Sequence, residues 1–251
     1  MIDTKSEQPL KERDVRKSKV GPLISVITVV FNGENSLEKT IKSVISQSYD
    51  HVEYIIIDGG STDGTVDIIK RYEDQIDYWI SEKDEGIYDA MNKGIRQATG
   101  DWVNFMNAGD AFVSRDVLNS VDFTALSEYA LIYGNRIQEG ISGTPKNIAA
   151  LEAGVIHANH QSMFFNSRML KDELYYDTRY KIYADYELVN RIYLKFPELM
   201  RYIDVDIADF EPGGVSSVVS AQKRKDKYHI VYQHYGLKGI LKAVLHRLFH
   251  R

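Results

Sequence analysis

The chain contains no cysteine. Disulfides and thiolate metal sites are therefore excluded, which fits a reducing compartment. No apolar run reaches the roughly 18–20 residues that span a bilayer. The amino end carries no apolar segment of the kind a secretory signal needs, so none is expected. Internal repeats and low-complexity tracts are missing as well. The glycine-rich stretch Asp58-Gly-Gly-Ser-Thr-Asp-Gly-Thr65 is not a P-loop, because Gly64 is followed by Thr65 and not by Lys-Ser/Thr. No G-x-G-x-x-G opens the first helix, which removes the dinucleotide fingerprint. Acidic residues are scarce at the carboxyl end. Residues 223–251 hold eight Lys and Arg against Asp226 alone, so the net charge of −5 divides into +7 there and −12 in the preceding 222 residues. An acidic body with a basic tail suggests an anionic partner for the tail.

What is present is ordinary for a globular protein: 251 residues, 43% hydrophobic and 27% charged, enough for one large domain or two small ones. Residues 1–20 are a charged arm, poor in large apolar residues. Ile24 to Val30 is a continuous β-branched run, the pattern of a strand buried on both faces of a parallel sheet. Phe31 to Asn35 is the turn after it. Asn35 or Ser36 can cap a helix that places Leu37, Ile41, Val44 and Ile45 on one face. Val52 to Ile57 is a second buried strand, and a helix begins near Thr65. That is a βαβ unit, with parallel strands and a right-handed crossover. Further on, Val117 to Leu126 reads as helix and Ala130 to Tyr133 as strand. Residues 134–158 read as a loop with a short hairpin, and His160 to Phe165 as a strand. A helix opens at Tyr183-Ala-Asp-Tyr-Glu187, with Asp185 in its first turn, where the helix dipole favours a carboxylate. Tyr202 to Ala208 alternates like a strand. The loop Glu211 to Ser217, with Gly213 and Gly214, is flexible enough in composition for a lid.

One stretch organises the rest, Ser81 to Asp110. An acidic loop with Gly86 feeds a helix whose Ile87, Ala90, Met91, Ile95 and Ala98 fall at three- and four-residue steps. Thr99-Gly100-Asp101 ends it, with Gly100 expected in the left-handed position. Trp102 to Met106 then forms a short strand that delivers Asn107-Ala-Gly-Asp110 to its carboxyl end, where open α/β sheets bind ligands. A carboxylate there suits hydrated Mg²⁺ or Mn²⁺ carrying a nucleotide diphosphate. The plainer alternative is a strand-end turn, since Asn, Gly and Asp are turn formers.

In order, Val26-Ile-Thr-Val-Val-Phe-Asn32, Ile57-Asp-Gly-Gly-Ser-Thr-Asp-Gly-Thr65, Asp84-Glu-Gly-Ile-Tyr-Asp-Ala-Met-Asn-Lys-Gly94, Thr99-Gly-Asp101, Phe105-Met-Asn-Ala-Gly-Asp110 and Ala184-Asp-Tyr-Glu-Leu188 resemble the segments of a bacterial family 2 glycosyltransferase. Within that family the sequence is most similar to the colanic-acid and capsule type. The resemblance implies an α/β GT-A fold over residues 21–217: one nucleotide-sugar-binding domain around a mostly parallel sheet with flanking helices. It also implies roles. Thr28, Phe31 and Asn32 would line the nucleoside pocket, Asp58 would bond the base and so select uracil, and Asp84 would help hold base or ribose. The family's Asp-x-Asp metal run corresponds here to Asn107-Ala-Gly-Asp110, so only Asp110 brings a carboxylate to the Mn²⁺ or Mg²⁺, beside Asn107. Asp185 matches the catalytic base; its alternative is a helix cap. His160 is a structural hydrogen-bonder or a supplementary metal group on the substrate side.

The reaction so implied moves a sugar from a UDP-sugar to a hydroxyl of a bacterial surface glycan carried on a polyprenyl diphosphate, with inversion. The alternative is a catalytically weak nucleotide-sugar-binding or scaffold subunit of a glycan-assembly complex. Residues 218–251 are expected to form a basic amphipathic tail. Within 236–251, Leu237, Ile240, Leu241, Val244, Leu245, Leu248 and Phe249 make one helical stripe, with Lys238, Lys242, Arg247 and Arg251 off it. That pattern fits an anionic membrane surface and a cytoplasmic protein on the inner face of the cell membrane. The alternatives are packing on the protein's own core or on a second copy in a homo-oligomer. No nucleic-acid motif accompanies the charge, so no nucleic-acid partner is expected.

Overall fold

The computed structural model describes residues 21–210 and 221–249. The charged arm, the loop with Gly213 and Gly214, and Arg251 lie outside the described residues. Among the described residues nine strands run in chain order: β1 (Ile24–Val30), β2 (Val52–Asp58), β3 (Tyr78–Ser81), β4 (Trp102–Phe105), β5 (Ala111–Phe112), β6 (Leu131–Gln138), β7 (Ile141–Gly143), β8 (Met163–Asn166) and β9 (Met200–Asp209). Their order across the sheet is β3-β2-β1-β4-β8-β6-β9-β5, with β7 on the outside of β6. The first four are parallel, and β8 enters antiparallel beside β4. Helices α1 (Leu37–Ile45), α2 (Thr65–Arg71) and α3 (Ile87–Gln97) supply the crossovers in the parallel half. The short α4 (Ser167–Leu170), α5 (Ala184–Lys195) and α6 (Ala221–Phe249) follow.

The β-branched runs of β1 and β2 are buried on both faces because helices cover both. Along β1, Ile24 and Val26 pack with Leu37, Ile41 and Val44 of α1 and Ile68 and Ile69 of α2. Ile27 and Val29 point the other way, onto Ala90, Met91 and Ile95 of α3, with α5 and α6 beyond. The two-residue alternation of a strand therefore feeds two cores. Each fully buried Ile contributes about 1.5–3 kcal/mol relative to exposure.

A buried carboxylate ties the parallel strands to the end of α3. Glu53 of β2 accepts from Ser25 Oγ at 2.5 Å, Thr99 N–H at 2.7 Å and Thr99 Oγ1 at 2.8 Å. Gly100 is not left-handed, contrary to expectation. It is glycine because a Cβ there would sit 2.7 Å from the backbone nitrogen of Ser25 and 2.8 Å from the carbonyl of Leu23. Other elements also differ from the sequence expectation. Val117 to Leu126 is no helix: a single 3-10 turn, Leu118–Ser120, is followed by further turns. Residues 134–158 do hold the expected hairpin, β6–β7, and add a 3-10 segment, Ile148–Ala153. His160–Ser162 is a 3-10 turn, and the strand begins only at Met163.

Candidate active site

The carboxyl ends of β1 and β4 open into a cleft of about 910 Å³, the size of a small-molecule site. Seven of the residues singled out in the sequence line it: Phe31, Asn32, Asp84, Asn107, Asp110, His160 and Asp185. They come from five separate segments of the chain, and the sheet topology brings them together.

At the β1 side, Phe31 follows the strand with its ring 63% exposed in the cleft wall. An aromatic ring left so open beside a cleft is a stacking platform. Asn32 has φ +50° and braces the neighbouring turn: its Oδ1 accepts the Thr62 N–H at 2.9 Å, and its own N–H donates to Ser61 Oγ at 2.7 Å. Asp84 lies against Gly59 and accepts the Gly86 N–H at 2.8 Å.

Two expected nucleoside contacts are placed elsewhere. Thr28 is fully buried; its Oγ1 donates to the carbonyl of Met106 at 2.7 Å and lies 3.1 Å from the Tyr54 hydroxyl. It joins β1 to the end of β4 and does not line the cleft. Asp58 is also fully buried. It accepts the N–H groups of Gly60 and Ser61 at 3.2 and 3.0 Å and the hydroxyls of Ser61 and Ser81 at 2.5 Å. Four donors occupy its oxygens, so it shapes the Gly59-Gly60-Ser61 turn from beneath and does not present a free carboxylate to the cleft.

The floor is the strand-end run. Asp110 is 6% exposed, and its Oδ2 accepts from Gln161 Nε2 at 2.5 Å. Thr40 of α1 holds the same turn by donating to the Asp110 carbonyl at 2.6 Å and accepting the Gly109 N–H at 3.0 Å. Asn107 is buried, and its Nδ2 lies 2.9 Å from His160 Nε2. With the amide donating, the imidazole carries its proton on Nδ1, which faces Asp185 Oδ2 at 3.6 Å. That is longer than a hydrogen bond. Asn107, His160 and Asp185 thus form a file along one wall.

Asp185 is the second residue of α5, and Tyr183 occupies the capping position without a side-chain cap bond. Asp185 is therefore not the helix cap. Its Oδ1 accepts the N–H of Tyr186 at 2.7 Å, and the Tyr88 hydroxyl lies 3.4 Å away. That hydroxyl donates to the Ile182 carbonyl. Burial, and next the Asp185 charge, push its pKa well up, so Tyr88 stays protonated beside the carboxylate. His157, behind His160, is buried with its Nε2 unpaired, and burial alone pulls its pKa down to about 4. It is neutral at physiological pH.

Asn107 Oδ1 is also buried without a hydrogen-bond partner. An orphaned carbonyl oxygen three residues from Asp110 is an oxygen donor suited to a hard cation. No group of three or more His, Cys, Asp or Glu able to hold a metal occurs among the described residues. The side chains present therefore fit an ion held partly by its ligand's phosphates, which is common for Mg²⁺. Sequence reasoning missed Gln161, which fixes Asp110, and Tyr88, which borders Asp185. Nothing local in the sequence marks Tyr88, and only Gln161's adjacency to His160 could have marked Gln161.

A mixed sheet, parallel through β1 to β4, with a cleft at the carboxyl edge lined by Asp84, Asp110 and Asp185 and by Arg136, Lys146, Lys181 and Lys223, is the arrangement of an α/β protein that binds a ligand at that edge. The chain belongs to glycosyl transferase family 2, whose sequence pattern matches residues 25–191. It is 34% identical over 209 residues to an uncharacterized glycosyltransferase of Mycobacterium tuberculosis, covering 78% of each chain. It is 34% identical over 127 residues to a putative teichuronic acid biosynthesis glycosyltransferase, TuaG, of Bacillus subtilis, covering 49% of this chain and 50% of that one. Among solved structures, S. aureus TarS 1-349 in complex with UDP-GlcNAc superposes with a TM-score of 0.70 at 17% identity, over 90% of this chain and 73% of that one. The likeness shows the fold. The protein is a nucleotide-sugar-dependent glycosyltransferase with a GT-A-like α/β fold.

Proposed function

We infer that the protein transfers a sugar from a UDP-sugar to a hydroxyl of a surface-glycan acceptor, with inversion and with Asp185 as general base. The observation that carries this reading is the meeting of Asp185, His160, Asn107 and Asp110 in one cleft opposite Phe31, Asn32 and Asp84. Phe31 supplies a face for the base, and Asn32 and Asp84 supply polar groups for base and ribose. The UDP-GlcNAc in the TarS structure supports a UDP-sugar donor. The TuaG relative supports a cell-surface polymer as the acceptor class, and the sequence runs resemble the colanic-acid and capsule type.

The acceptor oxygen attacks the anomeric carbon as the bond from that carbon to the diphosphate oxygen breaks. UDP departs with the electron pair, and the acceptor proton passes to Asp185. One displacement inverts the centre. A partly buried carboxylate, held at one oxygen by a backbone N–H and facing His160 across 3.6 Å at the other, has the chemistry of a general base. Asp110 and the Asn107 carbonyl would hold Mn²⁺ or Mg²⁺ against the diphosphate, where the cation offsets charge on the leaving group.

The rival reading is a nucleotide-sugar-binding subunit with little catalysis. It draws on the single carboxylate in Asn107-Ala-Gly-Asp110. One experiment separates the two: thermal shift with UDP and Mn²⁺, followed by a UDP-sugar panel read for UDP release. Binding with metal-dependent release supports the transferase. Binding without release from any donor, with or without a glycan acceptor, supports the subunit.

A further inference from the structure

The C-terminal helix α6 bends at Gly236, whose φ of +61° and ψ of −153° only glycine adopts readily. Before the bend, Ile230 and Val231 are fully buried in the core, and the Tyr235 hydroxyl donates to Asn190 Oδ1 at 2.6 Å. After it, the helix turns a narrow side to the protein. Ala243 is buried, Ile240 packs on the same core, and Lys242 pairs with Glu152.

The expected single stripe is therefore divided. Ile240 goes inward with the core. Leu237, Leu241, Val244, Leu245, Leu248 and Phe249 are all exposed, from 40% for Val244 to 77% for Leu237 and Phe249. At about 100° per residue these six lie on the side of the helix opposite Ala243. An exposed apolar face of this width marks an interaction surface. Packing on the protein's own core, one alternative for this stripe, does not account for these six.

Charge selects the occupant. No acidic residue occurs from Lys227 to Phe249. At the same spacing Lys238 falls between Leu245 and Phe249, at one edge of the apolar face. Lys227 lies against Gly154, and Lys146 and Arg247 are close enough to lower its pKa beyond the larger effect of burial. Lys146, Lys227 and Arg247 come from three places in the chain, and among the described residues none has an acidic partner. Three cations gathered against their own repulsion fit phosphate groups. A second copy docked by the same face would set like charges together. Lys146 also lines the cleft, so the cluster runs from the inner side of α6 to the mouth of the site.

We propose that residues 237–249 dock on an anionic phospholipid surface, with the six apolar side chains at the acyl boundary and Lys146, Lys227 and Arg247 on lipid phosphates. The docked protein presents the mouth of its cleft to the membrane, where a lipid-borne acceptor would stand. The proposal concerns vesicle binding and does not require the transfer reading.

The test uses the full chain with vesicles of phosphatidylcholine alone or mixed with phosphatidylglycerol. The wild type pellets with the mixed vesicles and little with the neutral ones. Leu241→Asp with Leu248→Asp, two exposed sites, lowers pelleting at least roughly tenfold. Lys227→Gln with Arg247→Gln lowers it on the order of tenfold on the anionic vesicles alone. Melting temperature and UDP affinity, unchanged in the leucine variant, show that the domain is intact. Equal pelleting of wild type and leucine variant overturns the proposal, as does equal binding to both vesicle types. So does a wild-type dimer that the leucine variant converts to monomer without any vesicle binding, because the occupant is then a second copy.

Discussion

Replacing Asp185 by Asn isolates the base. The amide keeps the size of the carboxylate, and its oxygen can still accept the Tyr186 N–H now bonded at 2.7 Å. The first turn of α5 therefore survives. What is lost is the negative charge and the lone pair that would take the proton. The new NH₂ also faces the Nδ1 proton of His160, which lies 3.6 Å from Asp185 Oδ2. A positioned base is worth ~10²–10⁴-fold, and at about 1.4 kcal/mol per decade this is roughly 3–5 kcal/mol of barrier. None of these contacts involves Phe31, Asn32 or Asp84, so nucleotide affinity should stay within about threefold, under roughly 0.7 kcal/mol. The assay is steady-state UDP release with kcat and KM separated, beside calorimetric titration of UDP. His160→Gln added to Asp185→Asn should cost little more than Asp185→Asn alone, because groups acting as a unit are not additive. A variant turning over within threefold of wild type would refute the role of Asp185. A large loss of UDP affinity would show that the residue serves the donor instead.

Three further outcomes are expected. Glu53→Ala strands the buried donors of Ser25 and Thr99 and should cost about 3–5 kcal/mol in urea unfolding; a loss under 1 kcal/mol would contradict the network. His157 titrates at about 4 in the folded chain and at about 6.5 unfolded. The unfolded state thus binds the proton first, and stability falls by about 3 kcal/mol as pH drops from 6.5 to 4. His157→Phe should flatten that decline, and an unchanged pH–stability profile would mean the ring is not held neutral. Gly236→Ala meets no atom within 4 Å, so its cost is backbone strain alone, about 1–3 kcal/mol. Chemical unfolding measures it, and a neutral result would mean that the bend is not maintained.

The sequence alone determined the elements whose information is local. The β-branched runs of β1 and β2 specify strands covered on both sides, because a backbone with apolar side chains on both faces must bury both. The three- and four-residue spacing in α1 and α3 fixes which side of each helix meets the sheet. The polar, glycine-containing runs after β1, β2 and β4 then fall at one edge, because parallel strands place all their carboxyl ends together. Side-chain direction was decided only in three dimensions. Asp58 ends β2 and Thr28 lies two residues from the end of β1, positions that suggest a ligand, yet nearby donors and acceptors turn both inward. Val117 to Leu126 has apolar spacing suited to a helix, yet its apolar residues meet the core from a 3-10 turn and successive bends. The C-terminal stripe reads as one surface, but the narrow side at Ala243 meets the protein and leaves six large side chains facing out. The file of Asn107, His160 and Asp185 joins residues 53 and 25 positions apart. No periodicity extends over such separations; their meeting depends on β4, β8 and α5 packing around one cleft.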